Sequence, residues 1–233
     1  MKKIGDLYLI PNLLGESAVN DVLPLRVREV VLLCNHFIVE NPKNARRFIK
    51  AIAPEKSQES LELFPLNKHT AQADKETYLS HCLEGLPMGI ISDAGCPAIA
   101  DPGSEIVRMA HQHEIRVIPL VGPSSILLSL MASGMNGQSF AFNGYLPIDK
   151  DERKASLKRL EKRAKEERQS QLFIETPYRN QQMFNDLMDN LQADTLLCIA
   201  CDITLPTEEI KTHPIHLWKK VNIDIQKRPT IFI

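Results

Sequence analysis

Short apolar, β-branched runs alternate along the chain with longer amphipathic stretches. Leu7-Tyr8-Leu9-Ile10, His36-Phe37-Ile38-Val39, Met88-Gly89-Ile90-Ile91 and Arg116-Val117-Ile118-Pro119 predict buried strands. Each of the last three follows a stretch of helical pattern of about ten residues or more. This alternation predicts a mainly parallel sheet with helices on both faces. From Pro119 to Ser133 the chain passes through Gly122-Pro123-Ser124-Ser125 into an apolar helix, which Gly134, Asn136 and Gly137 end. A domain boundary is placed there, dividing 1–120 from 121–233. The second half restarts at Phe140-Ala141-Phe142 and continues into a charged helix from Asp149 to about Gln169. A strand from Gln171 to Glu175, a helix from Pro177 to Leu191, a strand from Leu196 to Asp202 and a terminal strand from Pro229 to Ile233 follow. The fold class expected is α/β, as two α/β domains of similar size with a ligand cleft between them.

With 233 residues, 43% apolar and 24% charged, the chain has enough apolar material for such cores and is not a disordered sequence. Its 28 Lys and Arg against 29 Asp and Glu exclude a uniformly basic polyanion binder. A local patch is still available: Lys150, Arg153, Lys154, Lys158, Arg159, Lys162, Arg163, Lys165 and Arg168 lie on one predicted helix. Bases three or four apart share a face, either as a phosphate-contacting surface or as a solvated helix laced with ion pairs. No run approaches the roughly 18 apolar residues of a membrane span, and Met1-Lys2-Lys3 leads into a strand pattern rather than a signal-peptide core. A cytoplasmic protein without a membrane partner is expected. Five cysteines, Cys34, Cys82, Cys96, Cys198 and Cys201, fit reduced thiols better than a disulfide framework. Cys198 and Cys201 form a C-x-x-C inside an apolar strand pattern and are read as buried structural thiols rather than a redox or zinc pair. His111-x-His113 and His213-x-x-His216 lack metalloprotease spacing and are read as solvated side chains.

Two loops can carry chemistry. The strand ending at Ile91 runs into Ser92-Asp93-Ala94-Gly95-Cys96-Pro97 and then Asp101-Pro102-Gly103, where an open parallel sheet meets its ligands. Asp93 can accept hydrogen bonds from a polar ligand, Ala94 and Gly95 allow close backbone approach, and Asp101 reads as the N-cap of the next helix. The same small residues also suit a plain turn. In Val121-Gly122-Pro123-Ser124-Ser125-Ile126, either serine can cap the helix that follows, and its amides can meet a carboxylate or hydroxyl. Neither a P-loop, nor a G-x-G-x-x-G fingerprint, nor a G-x-S-x-G elbow occurs.

Taken together, these segments resemble the tetrapyrrole (corrin/porphyrin) methylase family, and within it the branch that 2′-O-methylates a cytidine of small-subunit ribosomal RNA. The strand into Pro11-Asn12-Leu13, the Ser92 to Pro97 loop with Asp101-Pro102-Gly103, and Val121 to Ser125 match family segments. So do Gly144-Tyr145-Leu146-Pro147 and Phe173-Ile174-Glu175-Thr176-Pro177-Tyr178-Arg179, in order over nearly the whole chain. The resemblance implies two α/β domains, commonly as a homodimer, with S-adenosyl-L-methionine held between them and no metal. It places the cofactor on Pro11, Asp93, Ala94, Gly95 and Cys96, on Ser124, Ser125 and Ile126, on Tyr145 and Leu146, and on Pro229 and Thr230.

The chain departs from the branch at several points. Pro11-Asn12-Leu13-Leu14-Gly15 stands for P-I-G-N-L, and Val39-Glu40-Asn41-Pro42-Lys43 for A-E-D-T-R. Ala200-Cys201-Asp202-Ile203-Thr204-Leu205 replaces A-R-E-x-T-K, and Lys227-Arg228-Pro229 replaces K-G-E. The cofactor loops are thus better kept than the segments that would handle substrate. A ribose hydroxyl needs a base, and Glu40 and Glu175 at predicted strand ends are the candidates; each can instead pair with a neighbouring cation, Lys43 or Arg179. RNA is the expected acceptor. Methylation of a tetrapyrrole-like small molecule and a non-catalytic cofactor- or RNA-binding relative are the alternatives.

Overall fold

The apolar runs of the first half become strands because their alternate side chains reach cores on both faces of a sheet. The computed structural model describes residues 4–67 and 69–233, which fall into two units, Met1–Ser124 and Ser125–Ile233. In chain order the first unit holds β1 (Leu7–Ile10), α1 (Val19–Val22), α2 (Leu25–Leu33), β2 (His36–Val39), α3 (Pro42–Ile52) and β3 (Glu62–Pro65). It continues with α4 (Gln72–Thr77), α5 (Ser80–Leu83), β4 (Met88–Ile91), α6 (Ser104–Gln112) and β5 (Val117–Pro119). Its sheet has the order β3-β2-β4-β1-β5, with every pairing parallel.

Tyr8, Ile10, Phe37 and Val39 pack against Val27, Val30, Phe48 and Ile49 of α2 and α3 on one face. Leu7, Ile38, Met88 and Ile90 pack against Leu79, Cys82, Ile106 and Ala110 on the other. The period of two along β1 and β2 thus feeds two apolar layers. Two details differ from the sequence expectation. The segment before β4 is broken into the short α4 and α5 rather than one helix. The strand β3, Glu-Leu-Phe-Pro, carried no clear signal because it is an edge strand that ends in proline.

The order of this sheet fixes where a ligand can sit. From β1 the chain leaves toward β2 on one side, and from the adjacent β4 it leaves toward β5 on the other. The carboxyl ends of β1 and β4 therefore flank a topological switch point, the place where open α/β sheets bind ligands.

The second unit holds α7 (Ser125–Ser133), β6 (Phe140–Tyr145), α8 (Lys150–Glu166), β7 (Ser170–Ile174), a 3-10 turn (Pro177–Arg179) and α9 (Asn180–Asn190). After these come β8 (Leu196–Cys201), β9 (Glu209–Pro214), α10 (Ile215–Trp218) and β10 (Thr230–Phe232). Here the parallel expectation holds only for β6 and β7; β10 enters antiparallel between β7 and β8, and β9 antiparallel beside β8. The β8–β9 link is a loop without a helix, as an antiparallel pair permits. The strand β9, Glu-Ile-Lys-Thr-His-Pro, is half-buried at every position and shows no apolar run from which to predict it. Asp149 caps α8 by accepting from the amides of Asp151 and Glu152, both at 3.0 Å. Trp218, Phe232, Leu197 and Ile199 centre this unit's core, and the Trp218 indole donates to the Leu197 carbonyl at 2.8 Å. Cys198 and Cys201 are fully buried in β8, where burial raises both thiol pKa values. Among the described residues no helix is long and apolar enough to cross a membrane.

Candidate active site

At the switch point of the first sheet, Asn12 is the organising residue. It follows β1, is buried, and its side-chain amide donates to the carbonyls of Ser92 and Asp93 at 3.0 and 3.1 Å. Its backbone amide donates to the Gly95 carbonyl at 2.9 Å, and its side-chain oxygen accepts from Leu13 at 2.8 Å. One asparagine thus satisfies the polar backbone of two loops that leave the ends of β1 and β4. The third loop joins from beyond β5. Cys96 Sγ donates to the Pro123 carbonyl at 3.4 Å, and a Cβ on Gly122 would stand 2.3 Å from the Pro11 ring, so only glycine fits there. Pro11, Asp93, Ala94, Gly95 and Cys96 are therefore brought together in one place.

The Asp93 carboxylate is exposed and takes a hydrogen bond from Asn44 Nδ2 at 3.0 Å, while its amide donates to Glu40 Oε2 at 3.2 Å. Glu40 hence lies beside the loop, held by a backbone amide rather than by Lys43. Asn44 has no sequence signal as a site residue, since 49 positions separate it from Asp93. Asp101 is not the N-cap expected: α6 begins at Ser104 behind Gly103 at φ 135°, two residues further on. Its carboxyl is instead drawn into the site. Burial, then the Glu40 charge, raises its pKa from 3.8 to about 6, against the opposing hydrogen bond from Ser92. Between the loop and α6, Ala98 and Ala100 hold φ values of 65° and 62°, a strained stretch of the kind found at functional sites.

Ser124 is the last residue of the first unit, and the second unit carries the remaining nominated residues. Ser125 opens α7 and Ile126 is buried in it, directly after Ser124. Tyr145, at the end of β6, is exposed after an irregularity in the β6–β7 pairing, and Leu146 is buried in the core. Thr230 is buried; its hydroxyl donates to the Arg228 carbonyl at 3.0 Å, and the Pro229 carbonyl accepts from Asp202 at 3.0 Å. Glu175 follows β7 with its side chain 3% exposed, and Oε1 accepts from Arg179 at 2.7 Å and from the Thr176 amide at 2.6 Å. This is the ion-paired arrangement the sequence allowed. A cavity of about 510 Å³ also lies in this unit, between Leu157, Leu160, Leu187, Leu191 and Ile233. None of the nominated residues lines it, and its walls are mostly apolar.

No family model matches the chain. Ribosomal RNA small subunit methyltransferase I of Vibrio cholerae serotype O1 is 28% identical over 209 residues, which is 90% of this chain and 68% of that protein. The protein of the same name from Escherichia coli O157:H7 is 29% identical over 211 residues, 91% of this chain and 70% of that one. Among solved structures, uroporphyrin-III C-methyltransferase from Thermus thermophilus, complexed with S-adenyl homocysteine, covers 98% of this chain and 96% of its own. Its TM-score is 0.58 at 15% identity. The chain is thus similar in sequence to ribosomal RNA small subunit methyltransferase I proteins and shares its fold with uroporphyrin-III C-methyltransferase.

Its departures from the family's motifs acquire physical reasons in the fold. Asn41-Pro42 starts α3, Asn41 capping through its side chain and Pro42 standing at the first turn, so the altered segment keeps a helix start. The two departing C-terminal segments meet one another. Arg228 Nε lies 2.7 Å from Asp202 Oδ2, and its guanidinium also reaches the Thr207 carbonyl at 2.6 Å. That pair pins the approach to Pro229 and Thr230, and no sequence spacing links residues 202 and 228. On α8, Arg153 is buried against Asp186 at 2.7 Å, and Lys162, Arg163 and Lys165 have acidic partners. Lys154, Lys158 and Arg159 stay exposed, so the basic surface is smaller than the count of bases suggested.

Proposed function

We propose that this chain uses S-adenosyl-L-methionine to 2′-O-methylate a ribose of small-subunit ribosomal RNA. The observation that carries the reading is the loop set at the switch point, where Asn12 fixes the Ser92–Cys96 loop and leaves the Asp93 carboxylate exposed. The donor set suits the cofactor. An exposed carboxylate can accept from two ribose hydroxyls, and Gly95, at φ 65°, leaves a cradle that a side chain would fill against Leu14 at 3.2 Å. The ribosomal RNA methyltransferases among the relatives supply the acceptor.

In this reading Pro11, Asp93, Ala94, Gly95 and Cys96 hold the cofactor from the first unit. Ser124, Ser125, Ile126, Tyr145, Leu146, Pro229 and Thr230 complete its contacts. The cofactor supplies a methyl group on an activated sulfonium carbon, so the chain's own work is to align the acceptor, exclude water and take a proton. Glu40 and Asp101 are the proton acceptors: two neighbouring carboxylates, of which Asp101, with its pKa raised to about 6, is ionised at neutral pH and a stronger base than an ordinary carboxylate. Glu175, committed to Arg179 and Thr176, positions the turn after β7. Lys154, Lys158 and Arg159 offer phosphate contacts. A homodimer and a cytoplasmic location complete the reading.

The test is incubation with methyl-labelled cofactor and either small ribosomal subunits or tetrapyrrole precursors. Label on a ribose 2′-oxygen, lost in Asp93→Ala together with cofactor affinity measured by calorimetry, is the expected result. Label in the tetrapyrrole pool would replace the acceptor, and binding of neither S-adenosylmethionine nor its demethylated product would overturn the reading.

A further inference from the structure

The amino ends of the first unit's strands, opposite the loops just described, bring together three side chains that the sequence keeps apart. His36 opens β2 and Glu62 opens β3, the two residues standing in register, and His81 lies on α5. Glu62 Oε2 is 3.5 Å from His36 Nε2 and 3.3 Å from His81 Nε2. The imidazoles stack with centroids 3.9 Å apart and planes 24° apart. His81 Nδ1 is buried without a hydrogen-bond partner, and Glu84 Oε2 approaches it to 3.5 Å.

These separations are long for N–H···O hydrogen bonds, which lie at about 2.7–3.2 Å. The two from Glu62 Oε2 lie close to another spacing, and the three donor atoms are all within 4.8 Å of one another. Donor atoms placed about 2.0–2.1 Å from a tetrahedral zinc ion stand about 3.3–3.4 Å from one another along the edges of the tetrahedron. Two imidazole nitrogens and one carboxylate oxygen are also a zinc-type donor set, with solvent as the fourth ligand. A ligating histidine ordinarily gives its second ring nitrogen to a carboxylate, and Glu84 stands where His81 Nδ1 needs one.

We propose that His36, Glu62 and His81 form a divalent-cation site of the zinc type, with Glu84 orienting His81. Binding requires the rings to rotate out of their stack until both planes point at the ion, a motion about the soft terminal torsion of histidine. The ion joins β2, β3 and α5, and so fastens the edge strand β3 by a bond that its short, exposed sequence does not supply. The site draws nothing from the methyl-transfer reading.

The test is optical titration of the untagged full chain with Co2+, followed by displacement with Zn2+. One equivalent per chain, with the visible bands of tetrahedral Co2+, is expected. Glu62→Gln removes a ligand at an exposed position and tolerates no ambiguity of folding; it and Glu84→Gln weaken binding by roughly 10- to 100-fold. His36→Ala and His81→Ala abolish the stoichiometric phase, checked for native circular dichroism, and the doubly substituted His111→Ala, His113→Ala chain binds as the parent does. Absence of a stoichiometric phase in the parent, or equal binding by Glu62→Gln and the parent, would overturn the proposal.

Discussion

Asp101→Asn separates the cost of holding a carboxylate at the switch-point site from its use there. The Asp101 pKa rises from 3.8 to about 6, chiefly because burial penalises the charge and next because Glu40 repels it. At about 1.36 kcal/mol per pKa unit the ionised group would cost the native state up to about 3 kcal/mol. The side chain is only half-buried, so solvent screening reduces this to about 1–2 kcal/mol. Because the folded pKa is the higher one, the native state holds the proton more tightly. The group's stabilising contribution is therefore complete below 3.8 and is lost as pH rises through about 6. Asparagine keeps the shape and has no charge to desolvate. Urea unfolding of both chains from about pH 4 to pH 8 should show the parent losing about 1–2 kcal/mol relative to the variant, with a plateau above about pH 7. Methyl transfer by the variant should fall roughly 10²- to 10⁴-fold if Asp101 takes the hydroxyl proton. A stability difference that does not change with pH would refute the desolvation argument, and undiminished transfer would refute the base.

Three further substitutions probe the remaining parts of the reading. Gly122→Ala puts a methyl 2.3 Å from the Pro11 ring and should cost about 2 kcal/mol in thermal or urea unfolding while weakening cofactor binding. Unchanged stability would mean the two loops do not meet. Glu175→Ala leaves Arg179 and the Thr176 amide without their acceptor and should cost about 2 kcal/mol, of which Glu175→Gln recovers part by still accepting from the amide. Equal losses for the two variants would contradict this. Replacing Lys154, Lys158 and Arg159 together by alanine should lower the slope of log affinity for ribosomal RNA against log salt by about 2, with cofactor affinity unchanged. A slope that does not move would assign α8 to solvent.

Much of the fold was legible because burial on both faces of a sheet writes continuous apolar runs: β1, β2, β4, β5, β7 and β8 all fall on such runs. The strands that escaped, β3 and β9, lie at sheet edges and are only partly buried, so packing never demanded an apolar pattern from them. The site shows the same division. Ser92 to Pro97 could be singled out from its small residues at a strand end, whereas Asn12 and Asn44 act on that loop from 81 and 49 positions away. Cys198 and Cys201 are buried, as the apolar neighbours of their C-x-x-C predict.

What the sequence determined alone was the alternation of strands and helices, and the order of motifs in which the chain resembles the tetrapyrrole methylases. Local patterning and turn chemistry are properties of neighbours along the chain. Tertiary structure alone decided which charges are used: it paired Arg228 with Asp202 and Glu175 with Arg179, turned Asp101 from a helix cap into a half-buried carboxyl beside Glu40, and stacked His36 on His81 against Glu62. Charge interactions depend on separation and burial, and both are fixed only when distant segments pack together.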